Sequence, residues 1–349
     1  MRSFQIKAVA AAALAATGLA ACGGSSGKSH TGSSNTSSAS GASTSTATKS
    51  ASAGKATKIA YIGSSLSSFI TAQENGMKNA VGSNGSVTYF NANFNPQQIT
   101  TLCQNAISSG RYNAIVLAVF EPPVGVPCAT AAHAAKIPVF ALDETVGKDP
   151  TDLKPQVPGI DGGVYELPNE NAKLVVNLAK QACAGHNPCN IVAEVISASD
   201  PITNQAVSDV AKEVPGAKVL ARMATEFNPA TLTTDVQDEL TAHPDINVIL
   251  GGSDTSALGA VHVLKAKGLS GKVVLTGQGA AKAGIAAIKA GTMFGTTGTW
   301  PFKEGQAIAK MAIEKVNGQT IANPNISGFS LSGPQVITKK NVAGVVGEW

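Results

Sequence analysis

The sequence predicts an α/β protein built as two similar lobes, each a doubly wound parallel sheet. From Lys58 onward, short β-rich runs alternate with runs of helical period. Several strand-like runs, such as Ala114 to Val119 and Ile137 to Leu142, are continuously apolar, as strands covered on both faces must be. After Pro168 the whole rhythm starts again, and about 290 residues from Ala56 to Trp349 is close to the size at which one core divides into two.

The elements follow in order. Lys58-Ile-Ala-Tyr-Ile-Gly63 reads as a strand, and Phe69, Ala72, Gln73, Gly76, Met77 and Ala80 then share one helix face. Val87 to Phe90 is a second strand, followed by a helix with Ile99, Leu102, Cys103, Ala106 and Ile107 on its apolar stripe. Ala114 to Val119 and Ile137 to Leu142 complete the first set. In the second set, helices are expected at about Asn169 to Ala184, Thr203 to Val214, Ala230 to Ala242 and Ser256 to Lys267. Strands are expected at Asn190 to Ile196, Lys218 to Ala224, Val248 to Gly251 and Lys272 to Gly277. Gly295 to Trp349 gives a short strand, a helix at Phe302 to Val316 and a final extended stretch.

The N-terminus carries an address. Arg2 and Lys7 precede the apolar run Ala8 to Ala21, whose 14 residues are too few to span a bilayer and fit a removable signal segment, 1–21. It ends in Leu19-Ala20-Ala21-Cys22, which resembles a bacterial lipobox and implies a diacylglycerol on Cys22. Gly23 to Ala56 is nearly all Ser, Thr, Gly, Ala and Lys, a composition that cannot bury a core, so 22–56 reads as a lipid-anchored flexible linker. The expected location is extracytoplasmic, at the cell membrane. Loss of the signal leaves a net charge of +2, which speaks against a nucleic-acid partner.

With Cys22 lipidated, Cys103, Cys128, Cys183 and Cys189 form an even set, and an oxidising compartment implies two disulfides among the three possible pairings. Cys183 with Cys189, across a short loop, and Cys103 with Cys128, between adjacent helices, are the favoured pairs. No Cys-x-x-Cys motif occurs and the five histidines are scattered, so no metal site and no cofactor are expected.

A set of motifs carries a family resemblance. Lys58-Ile-Ala-Tyr-Ile-Gly63 with Phe69 and Gly76, Ile137-Pro-Val-Phe-Ala-Leu-Asp143 and Leu240-Thr-Ala-His-Pro-Asp245 come first. Asp254 with Ala257-Leu-Gly-Ala260, Val273-Val-Leu-Thr-Gly277, and Gly291 leading to Trp300-Pro301 follow in order over essentially the whole mature domain. Together they resemble the type I periplasmic sugar-binding proteins of ABC importers, the ribose-binding group. That resemblance implies two lobes joined by a hinge, 57–166 plus 300–330 and 167–299 plus 331–349, closing over a ligand. It places Ser67, Phe69 and Asp143 at the cleft from one lobe, Asn204, Ser253, Gln278 and Thr299 from the other, and Trp300 as a further stacking candidate. Phe69 and Trp300 would stack on a sugar ring, and Asp143 and the amides would pair with hydroxyls. The implied partners are a small neutral ligand, a sugar or polyol, and an ABC permease, with the protein a monomer.

The departures narrow the ligand. Relatives often have Arg after the aspartate, whereas here Glu144 follows Asp143, and the only arginines are Arg2, Arg111 and Arg222. Without a guanidinium at the predicted cleft an anionic ligand is disfavoured, while a cationic, amine-bearing or amino-acid-like solute stays open. There is no Gly-x-Ser-x-Gly elbow or Walker loop, and Gly277-Gln-Gly279 lacks the third glycine of a dinucleotide fingerprint. Asp143 and Glu144 are sequence neighbours, unlike a glycosidase pair set across a bond. The chain therefore reads as a binder, not an enzyme. A module reporting to a membrane receptor or kinase is the alternative to import.

Overall fold

The computed structural model describes residues 54–349. The signal segment, Cys22 and the tether as far as residue 53 lie outside the described residues.

Strand β1 (Thr57–Gly63) is buried except at Lys58. It feeds helix α1 (Ser68–Val81), whose N-terminus is capped by Ser67 Oγ accepting from the Ile70 amide. Next come β2 (Gly85–Asn91), α2 (Pro96–Ser108), β3 (Ala114–Ala118), α3 (Val126–Ala134), β4 (Val139–Asp143) and β5 (Ile160–Tyr165). The chain then enters the second lobe with α4 (Pro168–Ala182), β6 (Cys189–Val195), α5 (Pro201–Glu213), β7 (Ala217–Ala224) and α6 (Pro229–Ala242). That lobe continues through β8 (Val248–Leu250), α7 (Asp254–Ala266), β9 (Val274–Gln278), α8 (Lys282–Ala290) and β10 (Gly295–Thr297). The chain returns to the first lobe as α9 (Pro301–Val316) and β11 (Asn325–Ser327), then crosses a last time to β12 (Val336–Thr338). Proline opens α2, α4, α5, α6 and α9, where its fixed φ suits the first turn and its missing N–H costs nothing.

The two sheets repeat one topology. Their orders are β2-β1-β3-β4-β5-β11 and β7-β6-β8-β9-β10-β12. Pairings are parallel except β10 with β12. Alternate residues of each strand enter opposite apolar layers. In the first sheet Ile59, Tyr61, Val116 and Phe140 pack on one face, and Ala60, Ile62, Ile115 and Leu117 on the other. This two-sided burial is the physical reason for the continuous apolar runs in the sequence.

Close helix packing and two disulfides tie elements together within the lobes. Helices α1 and α9 approach backbone to backbone: a Cβ on Gly76 would lie 2.0 Å from Phe302 O, and one on Gly305 would lie 2.0 Å from Gln73 O. Cys103 is bonded to Cys128, tying α2 to α3, and Cys183 to Cys189, tying the end of α4 to the start of β6. Among the described residues no helix is long and apolar enough to cross a membrane.

Strand β5 and helix α8 have no counterpart in the sequence expectations. Glycines at 162 and 163 interrupt β5's apolar pattern because neighbours crowd that strand: a Cβ at Gly162 would lie 2.2 Å from Pro324 O, and one at Gly163 would lie 2.5 Å from Ala141 O.

Candidate functional site

In an open parallel sheet the C-terminal strand ends expose unpaired backbone and side chains on either side of the point where strand order reverses. Here both sheets turn those ends toward one another across a cavity of about 540 Å³. Ser65 to Ser67 follow β1, Asn91 and Phe94 end and follow β2, Phe120 follows β3, Asp143 closes β4 and Glu166 follows β5. From the second lobe, Ile196 follows β6, Glu226 to Pro229 follow β7, Gly252 and Ser253 follow β8, Gln278 closes β9 with Gly279 after it, and Thr299 follows β10.

Five aromatic rings, Phe69, Phe94, Phe120, Phe227 and Trp349, stand in the wall. Phe94 stacks on Phe120 with ring centres 5.4 Å apart, and Phe69 meets Trp349 edge to face, also at 5.4 Å. Trp349 is held by its indole N–H, which donates to Gly279 O at 2.7 Å, and by its carbonyl, which accepts from the Lys282 amide at 2.8 Å. Phe94 and Phe227 belong to a duplicated feature. Asn93-Phe94-Asn95-Pro96 and Glu226-Phe227-Asn228-Pro229 occupy equivalent turns after the second strand of each lobe. In both turns the two residues before the Asn have positive φ, 50° and 54° in one and 51° and 57° in the other. Non-glycine residues rarely adopt this conformation, and such strain concentrates at functional sites. In both, the Asn caps the following helix and the Pro begins it.

The floor is acidic. Asp143 is buried, has φ of 69°, and accepts a hydrogen bond from Gln73 Nε2 at 2.5 Å. Gln73 also donates to Glu304 Oε2 at 3.0 Å and accepts from the Tyr61 hydroxyl at 2.5 Å. Glu166 completes the group: one oxygen each from Asp143, Glu166 and Glu304 lies within 4.8 Å of the others. Burial, then the Glu304 charge, push the Asp143 carboxyl well above the usual range against the pull of Gln73. Burial and the charges of Glu304 and Asp143 push Glu166 up as well, and Glu304 is raised to about 7, chiefly by burial. Glu166 Oε1, Glu304 Oε1 and the amide nitrogen of cavity-lining Asn171 have no protein partner. The cluster sits where the chain crosses between lobes: Glu166 leads into α4, Glu304 lies in the first turn of α9, and Gly328 beside Glu304 follows β11.

Of the residues expected at the cleft, Ser67, Phe69, Asp143, Ser253, Gln278 and Thr299 line the cavity. Ser67 and Ser253 also cap α1 and α7, so their hydroxyls have a structural duty there. Asn204 and Trp300 lie outside the cavity wall. The Asn204 amide donates to Ser197 O and Asp200 O at 2.7 and 2.8 Å, while its oxygen accepts from Arg222 at 2.7 Å, so the side chain is consumed within its own lobe. The Trp300 indole is packed into the second-lobe core with Lys303 Nζ 4.5 Å from its ring centre. Trp349, nearly fifty positions along the chain, supplies a ring to the cavity instead. Sequence reasoning missed Phe94, Phe120, Phe227, Glu166, Asn171 and Trp349. The repeated Phe-Asn-Pro was a readable signal for two of them. Glu144 is buried behind the wall with both carboxylate oxygens unpartnered, facing the charges of Asp200, Asp143 and Glu121.

Comparison with known proteins adds a frame. A family model described as periplasmic binding protein domain matches residues 59–320. The D-xylose-binding periplasmic protein of Escherichia coli K12 is 39% identical over 85 residues, 24% of this chain and 26% of that protein. The D-ribose/D-allose-binding protein of Pseudomonas aeruginosa is 26% identical over 220 residues, 63% of this chain and 67% of that protein. The matched part thus spans about a quarter of the first relative's length and two thirds of the second's. Among solved structures, an ABC transporter solute-binding protein from Mycobacterium smegmatis with bound glycerol aligns with TM-score 0.72 at 22% identity, covering 84% of this chain and 97% of that one. One from Actinobacillus succinogenes with bound D-allose aligns at 0.69 and 23% identity, covering 83% and 100%.

Proposed function

The chain belongs to the periplasmic binding protein family, and from that premise we propose that it captures a small polyhydroxylated solute, a sugar or polyol, between its lobes and delivers it to an ABC importer. The observation that carries this reading is the cavity itself: C-terminal strand ends of both sheets converge on it, with aromatic rings beside carboxylate, amide and hydroxyl groups. Rings cover the apolar faces of a pyranose or cyclitol, and the polar groups pair with its hydroxyls. The relatives named for xylose, ribose and allose, and the structures holding glycerol and allose, support the same ligand class. The protein binds and releases; it performs no chemistry on its ligand.

Ligand bridging residues of both lobes stabilises the closed form, which docks on the permease. The lobes are taken as 57–166 with 300–330 and 167–299 with 331–349. The protein acts as an extracytoplasmic monomer, with a lipid on Cys22 and the tether to Ala56 keeping it beside the membrane. Cys22→Ala is expected to move it from the membrane pellet to the soluble fraction. The ligand class is tested by thermal shift over pentoses, hexoses, polyols, amino acids and amines, where sugars or polyols should raise the melting temperature. Stabilisation by acidic amino acids alone would refute it. Asp143→Ala should weaken binding of any stabilising sugar about a hundredfold, because an acceptor to ligand hydroxyls is lost.

A further inference from the structure

The charges around the cavity do not balance. Asp143, Glu166 and Glu226 line it, and no Lys, Arg or His does so among the described residues. Among the described residues Asp143, Glu144, Glu166 and Glu304 make no salt bridge to a cation; Gln73 donates to Asp143 and Glu304, and the other charges bearing on the four are one another's and those of Asp200, Glu121 and Glu348, all acidic. A buried anion without a counter-ion is costly, so such a cluster either holds protons or takes a cationic partner, and a wholly neutral ligand supplies no such partner.

A second feature points to a ligand independently of the acids. Asn171 is 3% exposed, lines the cavity, and its amide nitrogen has no acceptor in the protein. A buried donor of this kind calls for an acceptor such as a hydroxyl on a bound molecule. The aromatic rings supply a third element, since their π faces attract organic cations when water is excluded.

Resting on the reading of the cleft as a polyhydroxylated-solute site, we propose that it selects solutes bearing a protonated amine, amino sugars or amino polyols. The ammonium is held by the carboxylates of Asp143 and Glu166, and a hydroxyl takes the Asn171 amide. A bare divalent ion fits less well. Gln73 places an N–H donor on both Asp143 Oδ1 and Glu304 Oε2, where a metal would need those lone pairs.

The unliganded cluster meets its charge by holding protons, as the raised carboxyls of Asp143, Glu166 and Glu304 indicate. The groups facing it are Tyr61 and Tyr89 from β1 and β2, Glu74 and Gln73 from α1, Glu144 after β4, and Glu348 near α9. None is cationic. An entering ammonium therefore replaces protons, and its affinity falls as pH drops and the carboxylates are titrated.

Matched pairs test this by calorimetry on the folded chain: D-glucosamine against D-glucose, and 1-amino-1-deoxy-D-sorbitol against D-sorbitol, with calcium chloride and magnesium chloride alone as further probes. The amino member of a pair should bind about tenfold or more tightly than its partner near pH 7.5. The affinity of 1-amino-1-deoxy-D-sorbitol, the more basic of the two amines, should fall between about pH 8 and about pH 5, where its ammonium persists while the carboxylates are titrated. Glu166→Gln should shrink the ratio within the pair about tenfold, and the pH series needs no variant. Equal or tighter binding of the neutral members would overturn the amine inference while leaving the sugar or polyol reading intact. Stabilisation by a divalent ion with the amines inert would overturn it in favour of a metal. Silence from every sugar, polyol and amine would sink both readings.

Discussion

In the second lobe, Glu194 is enclosed by donors. Its oxygens accept from the Thr225 hydroxyl, from Gly252 N–H at 2.8 Å and from Ser256 Oγ at 2.7 Å. Asp200 likewise accepts from the Thr203 amide at 2.8 Å and caps α5, and Asp254 accepts from Ala281 N–H at 2.7 Å, keeping one oxygen free. In the first lobe Asp143, Glu304 and Glu144 are buried and Glu166 is half-buried beside them, facing other acids rather than donors, with one shared amide and several oxygens unpartnered. The two sheets share one strand order, so topology does not account for the contrast. A carboxylate surrounded by donors holds loops in place, and one surrounded by carboxylates is paid for by something the site does.

The largest expected effect separates these roles directly. Glu194→Ala strands the Gly252 amide and two hydroxyls without an acceptor, and should cost about 4 kcal/mol in urea unfolding. It should also loosen the Gly252-Ser253 loop that lines the cavity. Asp143→Asn replaces a carboxyl crowded by other carboxyls with a neutral group that still accepts from Gln73, and should leave unfolding free energy unchanged or raised. If both variants lost stability alike, the acids of the two lobes would share one structural role.

The disulfides give a second contrast. Cys103–Cys128 spans a sequence separation of 25 and Cys183–Cys189 one of 6. Closing the longer loop restricts the unfolded chain more, so paired Ser substitution should cost about 3.5 kcal/mol in the first lobe and about 2 kcal/mol in the second. Equal losses would mean that chain entropy is not the governing factor.

How far these contrasts could be read from sequence follows from what each residue answers to. Strands buried on both faces advertise themselves, as Ala114–Ala118 and Val139–Asp143 do, whereas Ser67, Asp143, Ser253 and Gln278 are placed at the cleft by the family resemblance, in agreement with the rule that ligands lie at the C-terminal ends of such strands. β5 was hidden because Gly162 and Gly163 are there for close neighbours, not for strand propensity. With β5 unseen, Glu166 at its end went unseen as well. Asn204, in helix α5, answers to Arg222, a partner 18 residues away on strand β7, and Trp349 reaches the cavity through tertiary contact with Gly279. Neither relation has a local sequence signature. The repeated Phe-Asn-Pro does, and it marks both rims of the cleft.

Titration should separate the lobes further. Glu304 is raised from 4.5 to about 7 and Asp254 from 3.8 to about 7, both chiefly by burial. Each therefore binds more protons folded than unfolded between about pH 4 and about pH 7, so stability without ligand should fall as pH rises through that window. Denaturation at about pH 5 and about pH 8 measures the drop. Glu304→Gln should remove the part of the slope due to Glu304 and Asp254→Asn the part due to Asp254. If only Asp254→Asn flattened the curve, Glu304 would not be storing a proton.

The smallest effect concerns the twin turns. Asn95 Oδ1 accepts from the Gln98 amide at 3.1 Å, and Asn228 Oδ1 accepts from the Ala230 and Thr231 amides at 2.9 and 3.3 Å. Each substitution to Ala should cost about 1 kcal/mol, and the double substitution about the sum, because the caps lie in separate lobes without shared partners. Their second duty is to hold the preceding Phe at positive φ on the cavity wall, so both variants should also weaken ligand binding. Equal losses of affinity would mean the lobes contribute matching aromatic rims and differ only in their acids. A loss confined to Asn95→Ala would move the aromatic contribution to the same lobe as the acid cluster, leaving the second lobe to supply mainly amide and hydroxyl contacts.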